Sequence, residues 1–299
     1  MSKTPATPIY EEKDPVQYEV KDSVAYLTLN RVKFHNAQNA QLLYALDDAF
    51  YKATGDDEVK VIVLRANGKH FSAGHDIGTP GRDYHLGRPD RRTMNYDHEN
   101  KPGAELAFIR EQEVYLELCR RWRSVPKPTI AQVHGACIAG GLMLAWVCDL
   151  IVASEDAFFQ DPVVKMGFPG VEYFAHPFEL NVRRAKEFLM LGERWSAQRV
   201  CDAGMINKVV PRAELEDAVK DWALKIAKQP RMGLNLTKLT LNQAEDLQGK
   251  RAAMDNAYGY HHFAHANNTI VTGDFIAGNY SKEMAEKNKA KEAANKDKS

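Results

Sequence analysis

Residues Lys127–Asp149 read KPTIAQVHGACIAGGLMLAWVCD, and the rest of the chain is organised around them. A Pro-bounded turn, Val125-Pro126-Lys127-Pro128, leads in. Thr129 to Val133 is a short apolar, β-branched run of the kind that forms a buried strand. Gly135, Gly140 and Gly141 follow, and then a helical apolar pattern through Leu142, Leu144, Ala145 and Val147. A strand that passes through a glycine turn into a helix directs the first unbonded N–H groups of that helix at one spot. The positive end of the helix dipole lies there too, so the spot suits a developing oxyanion. The same glycines also fit a strand–helix connection that is merely close-packed. Nucleotide phosphate is excluded as the reason: Gly141 stands where a P-loop needs Lys, and no G-x-G-x-x-G is present.

A second stretch repeats the device. Val59 to Ala66, VKVIVLRA, reads as a buried strand. Asn67-Gly68 turns the chain into Lys69-His70-Phe71-Ser72-Ala73-Gly74-His75-Asp76-Ile77. Small residues again follow a strand and leave backbone amides accessible. The two stretches together resemble the enoyl-CoA hydratase/isomerase (crotonase) family. The shared pieces are F-S-A-G-x-D at Phe71 to Asp76, K-P-x-I-A-x-V-x-G at Lys127 to Gly135, and A-G-G…C-D from Ala139 to Asp149. Leu191-Gly192, Trp195-Ser196-Ala197-Gln198 and Ala203-Gly204-Met205-Ile206-Asn207-Lys208-Val209-Val210 continue it in order and spacing. The resemblance runs from about Val16 to about Lys228.

The resemblance implies an α/β protein with the crotonase (ClpP-like) fold of stacked ββα units and a C-terminal helical region. It implies a core over residues 16–210 and helices over 211–280, with a flexible segment at 1–15 and a charged tail at 281–299. The implied substrate is an acyl-CoA thioester. No cofactor beyond CoA itself and no metal are implied. By this likeness the backbone N–H groups of His75 and Gly140 form an oxyanion hole for the thioester carbonyl, a device worth about a hundred- to a thousandfold in rate per donor. Lys33, Phe34, His35, Ala73, Asp76, Ile77 and Gly141 map onto segments that hold CoA or substrate, and Arg31 joins Lys33 as a candidate phosphate contact. The side chain of His75 is free to vary: it either faces the pocket or hydrogen-bonds Asp76, and the structural role is the expected one. Assembly as a homotrimer or homohexamer is likewise implied by the family alone.

One departure matters. Hydratases of the family hold and activate water with two glutamates. The corresponding positions here are Met143, three residues after Gly140, and Val163, in Gln160-Asp161-Pro162-Val163. Neither side chain exchanges a proton, and each positioned acid–base group contributes about 10²–10⁴-fold. Ordinary hydration is therefore in doubt, which leaves isomerisation or hydrolytic C–C cleavage open, with a catalytically inactive acyl-CoA-binding protein as the alternative. Glu172, in Phe168-Pro169-Gly170-Val171-Glu172-Tyr173, is the first substitute acid and Asp161 the second. His35 and His176 are further polar neighbours with structural readings. His261 and His265 in HHFAH lie one helical turn apart, a spacing that suits a metal. No Glu follows the first His as it does in zincins, so the expectation is a helix face packed over a pocket or a subunit boundary.

Composition closes off other classes. The chain has 299 residues, 44% of them hydrophobic, with formal net charge +0. That supports a large core and no field that would steer it to nucleic acid or an anionic membrane. Cys119, Cys137, Cys148 and Cys201 lack CxxC spacing and read as free thiols in a reducing cytoplasm. The start, MSKTPATPIYEEKDP, has no apolar leader, and no run is long enough to span a membrane.

The remaining patterns alternate. Strands are predicted at Val16–Val20, Val24–Leu29, Val59–Ala66, Thr129–Val133, Leu150–Ala153 and Phe158–Phe159. Helices are predicted at Ala40–Ala53, Ala104–Arg123, Val182–Leu191, Ser196–Ala203 and Arg212–Lys228, with more helix from Gly233 to about Ala266 and a break near Asn267-Asn268. The segment Thr79–Gly103 is Gly-, Pro-, Arg- and Asp-rich, and an irregular stretch of that length is usually functional.

Overall fold

Six strands build the central sheet in the order β1-β2-β3-β4-β6-β9. The protein is described by a computed structural model over residues 13–77 and 101–276. β1 (Val16–Lys21) and β2 (Val24–Leu29) form the antiparallel hairpin expected at Lys21-Asp22-Ser23. α1 (Ala40–Gly55) then crosses to β3 (Val61–Ala66), which pairs parallel with β2. Asn39 caps α1 by accepting from the Leu42 amide at 3.0 Å. A helix follows in three parts: α2 (Gly103–Glu111), one π-helical stretch (Gln112–Glu117) and α3 (Leu118–Arg123). β4 (Thr129–Val133) joins β3 in parallel.

The pattern of apolar residues explains the layering. In β2, Ala25, Leu27 and Leu29 face one core while Val24 and Tyr26 face another. Both faces of the sheet are covered, so this strand is a continuous apolar run rather than an alternating one. The second face is closed by α8 (Leu215–Ala227) through Leu215, Val219, Ala223 and Ala227.

Between β4 and α4 (Gly140–Trp146) the structure inserts β5 (Ala136–Ile138). The expected direct strand–turn–helix step is thus a strand, a turn at His134-Gly135, a second short strand and then the helix. β5 belongs to a separate small sheet, ordered β5-β7-β8, with β7 (Phe158–Gln160) and β8 (Trp195–Ser196). β6 (Leu150–Ser154) returns to the main sheet, and β9 (Lys208–Val210) closes its edge. α5 (His176–Glu179), α6 (Val182–Leu191) and α7 (Ala197–Asp202) fill the span between β7 and β9.

The C-terminal region corrects one expectation. α9 (Arg231–Leu247) and α10 (Lys250–Thr272) are separate helices. The break falls at Gly249, at φ 96°, where a left-handed residue is needed and glycine supplies it without strain. Asn267 and Asn268 continue α10, because Asn268 is buried and its side-chain amide donates to the Met166 carbonyl at 3.1 Å. All four cysteines are free. No helix among the described residues is long and apolar enough to cross a membrane. The expectations for residues 1–12, 78–100 and 277–299 lie outside the described residues.

Candidate active site

Asn36 is the knot that joins the first two loops. Its side chain accepts from the Arg31 amide at 2.8 Å and donates to the carbonyls of Asn67 and His70 at 3.0 and 2.9 Å. The loop beyond β3 is then laid between two neighbours. On one side Ser72 bridges to Cys137 of β5; on the other His75 bridges to Gln38.

That second bridge decides where an amide points. The Gln38 amide donates to the Gly74 carbonyl at 2.7 Å, and the Asp76 amide donates to the Gln38 carbonyl at 2.9 Å. A trans peptide sets its C=O and N–H in opposite directions. With the Gly74 carbonyl turned toward Gln38, the His75 N–H is turned away from it. The same geometry recurs at α4. The Ala139 carbonyl accepts from the Leu142 amide at 2.8 Å, so the Gly140 N–H points back out of the helix start.

The two loops touch at these residues. A methyl placed on Gly74 would lie 2.9 Å from the Ile138 carbonyl oxygen and 3.4 Å from the Gly140 nitrogen. One on Gly140 would lie 2.6 Å from the His75 ring and 2.9 Å from Gln38 Oε1. Only glycine allows so close an approach. Ala139, at φ 47° and ψ −114°, carries backbone strain for a residue with a Cβ. Gly141 packs in the same way, since a methyl there would meet the Ser72 carbonyl at 2.7 Å.

A cavity opens beside this junction, with about 570 Å³ of empty space that is partly open to solvent. Its lining includes His75, Ile77, Glu111, Tyr115, Val163 and Glu172. Glu172 is 4% exposed. Its Oε2 lies 3.7 Å from His75 Nε2, and its Oε1 lies 3.5 Å from His261 Nε2. Burial, and then the charge of Glu111, pushes the Glu172 carboxyl well above the ordinary carboxylate range. Glu111 goes the other way. Burial alone would raise it, but contacts with His262 and His265 at 3.3 and 3.4 Å outweigh that and hold it well below the usual range. The two buried carboxyls of one cavity are thus driven apart, one toward the acid and one toward the anion.

Several residues predicted from sequence stand elsewhere or behave differently. His75 does not bond to Asp76. Its ring stacks on Tyr115 at 3.8 Å between centroids and faces the cavity, and burial pushes its pKa down to about 3. Asp76 is instead paired with Arg31 at 2.6 Å, both buried. Arg31 is therefore held inside, over the Phe34 ring at 4.1 Å, and is not placed to meet phosphate. Lys33 and His35 remain exposed, next to half-buried Phe34. The Ala73 amide donates to the His35 carbonyl at 3.0 Å, which ties the loop beyond β3 to the segment that carries Lys33, Phe34 and His35.

Asp161 is fully buried and does not line the cavity. Its carboxylate accepts from His176 Nε2 at 2.8 Å and from the amides of Val163 and Val171 at 3.3 Å each. Three donors occupy it, and the Val171 bond pins the residue before Glu172. Met143 is buried, and Val163 forms part of the cavity wall. The HHFAH face of α10 packs over the cavity, as one of its two expected placements had it.

Glu111, Tyr115 and Gln38 were missed by sequence reasoning. A signal existed for Glu111: it is an acid on the buried face that carries Ala107 and Val114. The π-helical stretch directly after it is a feature that recurs at functional sites.

The fold and the paired glycine loops are those of a crotonase-type protein, and the chain belongs to the enoyl-CoA hydratase/isomerase family, whose model matches residues 19–273. It has the crotonase fold. The putative enoyl-CoA hydratase EchA13 of Mycobacterium tuberculosis (strain ATCC 25618 / H37Rv) is 42% identical over 273 residues, covering 88% of this chain and 84% of the relative. Among solved structures, a probable enoyl-CoA hydratase from Mycobacterium smegmatis is 44% identical at a TM-score of 0.79, covering 88% of this chain and 99% of that one. Another, from Mycobacterium thermoresistibile, is 44% identical at 0.78, covering 87% and 100%.

Proposed function

We infer that this protein acts on an acyl-CoA thioester by stabilising an enolate, with Glu172 exchanging the proton. The His75 and Gly140 amides take the thioester oxygen as negative charge builds on it. Lys33, Phe34, His35, Ala73, Asp76, Ile77 and Gly141 form the rim that receives CoA. One observation carries the reading: Glu172 stands 3.7 Å from the ring of His75, the residue whose own amide faces away from the sheet bridge.

Of the two buried carboxyls, Glu172 is the one driven toward its protonated form, and one proton-exchanging group beside an oxyanion hole suits a reaction that moves a proton from one carbon to another. Double-bond isomerisation is therefore favoured over unaided hydration, for which Met143 and Val163 supply nothing. Asp161 is left out of the chemistry because its oxygens are occupied. Exposed apolar side chains on α9 and α10, among them Met232, Leu236, Leu241, Phe263 and Ile270, support assembly as a homotrimer or homohexamer.

The test is turnover of a panel of 2-enoyl-, 3-enoyl- and β-dicarbonyl-CoA thioesters by the wild type and by Glu172→Gln. The expected result is a loss of about 10²–10⁴-fold in kcat for the variant on the accepted substrate. Equal turnover by both proteins removes Glu172 from the mechanism. Binding of acyl-CoA without turnover anywhere in the panel makes the chain a binding protein.

A further inference from the structure

Three side chains that this chemistry leaves idle meet on the wall of the same cavity. Glu111 comes from the end of α2, and His261 and His265 come from successive turns of α10. One donor atom of each lies within 4.8 Å of the other two. Glu111 Oε2 is 3.4 Å from His265 Nε2 and 4.0 Å from His261 Nε2. All three residues are buried.

The outer nitrogens of both rings are already committed. His261 Nδ1 lies 3.0 Å from the Gly170 carbonyl oxygen, and His265 Nδ1 lies 2.9 Å from that of Phe275. A carbonyl only accepts, so each Nδ1 carries the hydrogen. In the neutral ring each Nε2 then presents a lone pair. Two lone pairs and a carboxylate oxygen therefore converge. His265 Nε2 is buried without a hydrogen-bond partner among the described residues. A proton on one ring relieves one contact; a divalent cation relieves all three. Imidazoles tied to a carbonyl at one nitrogen and bare at the other are also how metal-binding histidines are oriented.

We propose that Glu111, His261 and His265 bind one divalent transition ion of the zinc class. Two imidazole nitrogens and one carboxylate oxygen suit such an ion, and three protein ligands leave a further position open. Bonds of about 2.0–2.2 Å place tetrahedral ligand atoms roughly 3.4 Å apart. The Glu111–His265 pair already has that spacing, and His261 closes from 4.0 Å by a small side-chain movement. The site departs from the expectation of no metal, which rested on family likeness.

What the ion does there rests on the acyl-CoA reading. Its three ligands line the same cavity as Glu172 and Val163. The ion would supply an activated water of lowered pKa, the role that Met143 and Val163 cannot fill. Hydration then becomes available to a chain that lacks the usual pair.

The experiment uses the full-length protein, stripped with a chelator and then dialysed against micromolar Zn²⁺ or Co²⁺. Metal content, the visible absorption of bound Co²⁺ and the melting temperature are read for the wild type, Glu111→Gln, His265→Gln and the control His134→Gln. The expected result is one ion per chain, a four- or five-coordinate Co²⁺ spectrum and a higher melting temperature with Zn²⁺. Affinity falls at least about tenfold in the two ligand variants and is unchanged in the control. If a ligand variant does not fold, the wild-type spectrum and Zn²⁺-dependent melting decide. Absence of stoichiometric uptake by the wild type, or uptake that neither ligand substitution changes, overturns the proposal. Metal binding with no acyl-CoA turnover overturns the acyl-CoA reading and leaves the site standing.

Discussion

The ring of His75 lies between Tyr115, on which it stacks at 3.8 Å, and Glu172, whose carboxyl oxygen is 3.7 Å from its Nε2. One residue thus has two separable functions. Its amide belongs to the oxyanion loop and its side chain buttresses the acid. His75→Phe keeps the amide and the stacking but removes the polar neighbour of Glu172. At 3.7 Å the contact is longer than a hydrogen bond, so the cost stays below that of one, under ~1 kcal/mol or about fivefold in kcat. Steady-state kinetics check this. A loss as large as that of Glu172→Gln would show that the imidazole itself transfers the proton.

Gly74 sets the separation of the two oxyanion loops. It has φ 95°, and an added methyl would press on the Ile138 carbonyl at 2.9 Å. Gly74→Ala is expected to push the His75 amide off its target. The forecast is a fall of about 10²–10³-fold in kcat, the value of one oxyanion donor, with a much smaller change in KM. A variant with unchanged kcat would mean that this loop does not hold a donor.

Asp161 separates structural from catalytic acids. Asp161→Ala leaves His176 buried without its partner and frees the Val171 amide beside Glu172. Breaking a buried pair at one end costs about 3–5 kcal/mol. A fall of roughly 10 °C in melting temperature is expected from that loss. Well below the melting point, kcat should fall less than in Glu172→Gln. A stable but dead Asp161→Ala enzyme would return Asp161 to the chemistry.

Acid sensitivity has a named contributor. His134 is buried with its Nε2–H donating to the Gly68 carbonyl at 3.0 Å. Burial, and then the charge of Arg212, pushes its pKa down to about 4. The unfolded chain takes up the proton near pH 6.5 and the folded one resists it. Stability is therefore whole above pH 6.5, declines as pH falls toward 4, and is not lost further by this group below that. At about 1.4 kcal/mol per pKa unit the loss is at most about 3.5 kcal/mol, and less in practice through solvent screening. Denaturant midpoints at pH 7 and pH 5 should differ less for His134→Gln than for the wild type. An equal difference would assign the acid sensitivity to other groups.

The sequence by itself determined the two glycine loops and five of the six strands of the main sheet, β9 excepted. Val24–Leu29 and Thr129–Val133 could be read to the residue because strands buried on both faces are mostly apolar and β-branched. Gly74 and Gly140 were legible because a Cβ at either would press on its neighbours, the Ile138 backbone at Gly74 and the side chains of His75 and Gln38 at Gly140. The break between α9 and α10 was misplaced because Asn268 looks like a helix breaker until the Met166 carbonyl arrives from elsewhere in the fold to satisfy it.

The acid–histidine constellation was decided only by tertiary structure. Glu111, Glu172 and His261 are separated by 61 and 89 residues in the chain, and no local pattern records that a helix, a loop and a second helix meet at one cavity. Their proton affinities follow from that meeting: burial and the charge of Glu111 drive Glu172 up, while contacts with His262 and His265 outweigh burial and drive Glu111 down. The same holds for Asp161 and Arg31. Their side chains allow catalysis or phosphate binding, and only the partners supplied by the fold, His176 and Asp76, turn them inward.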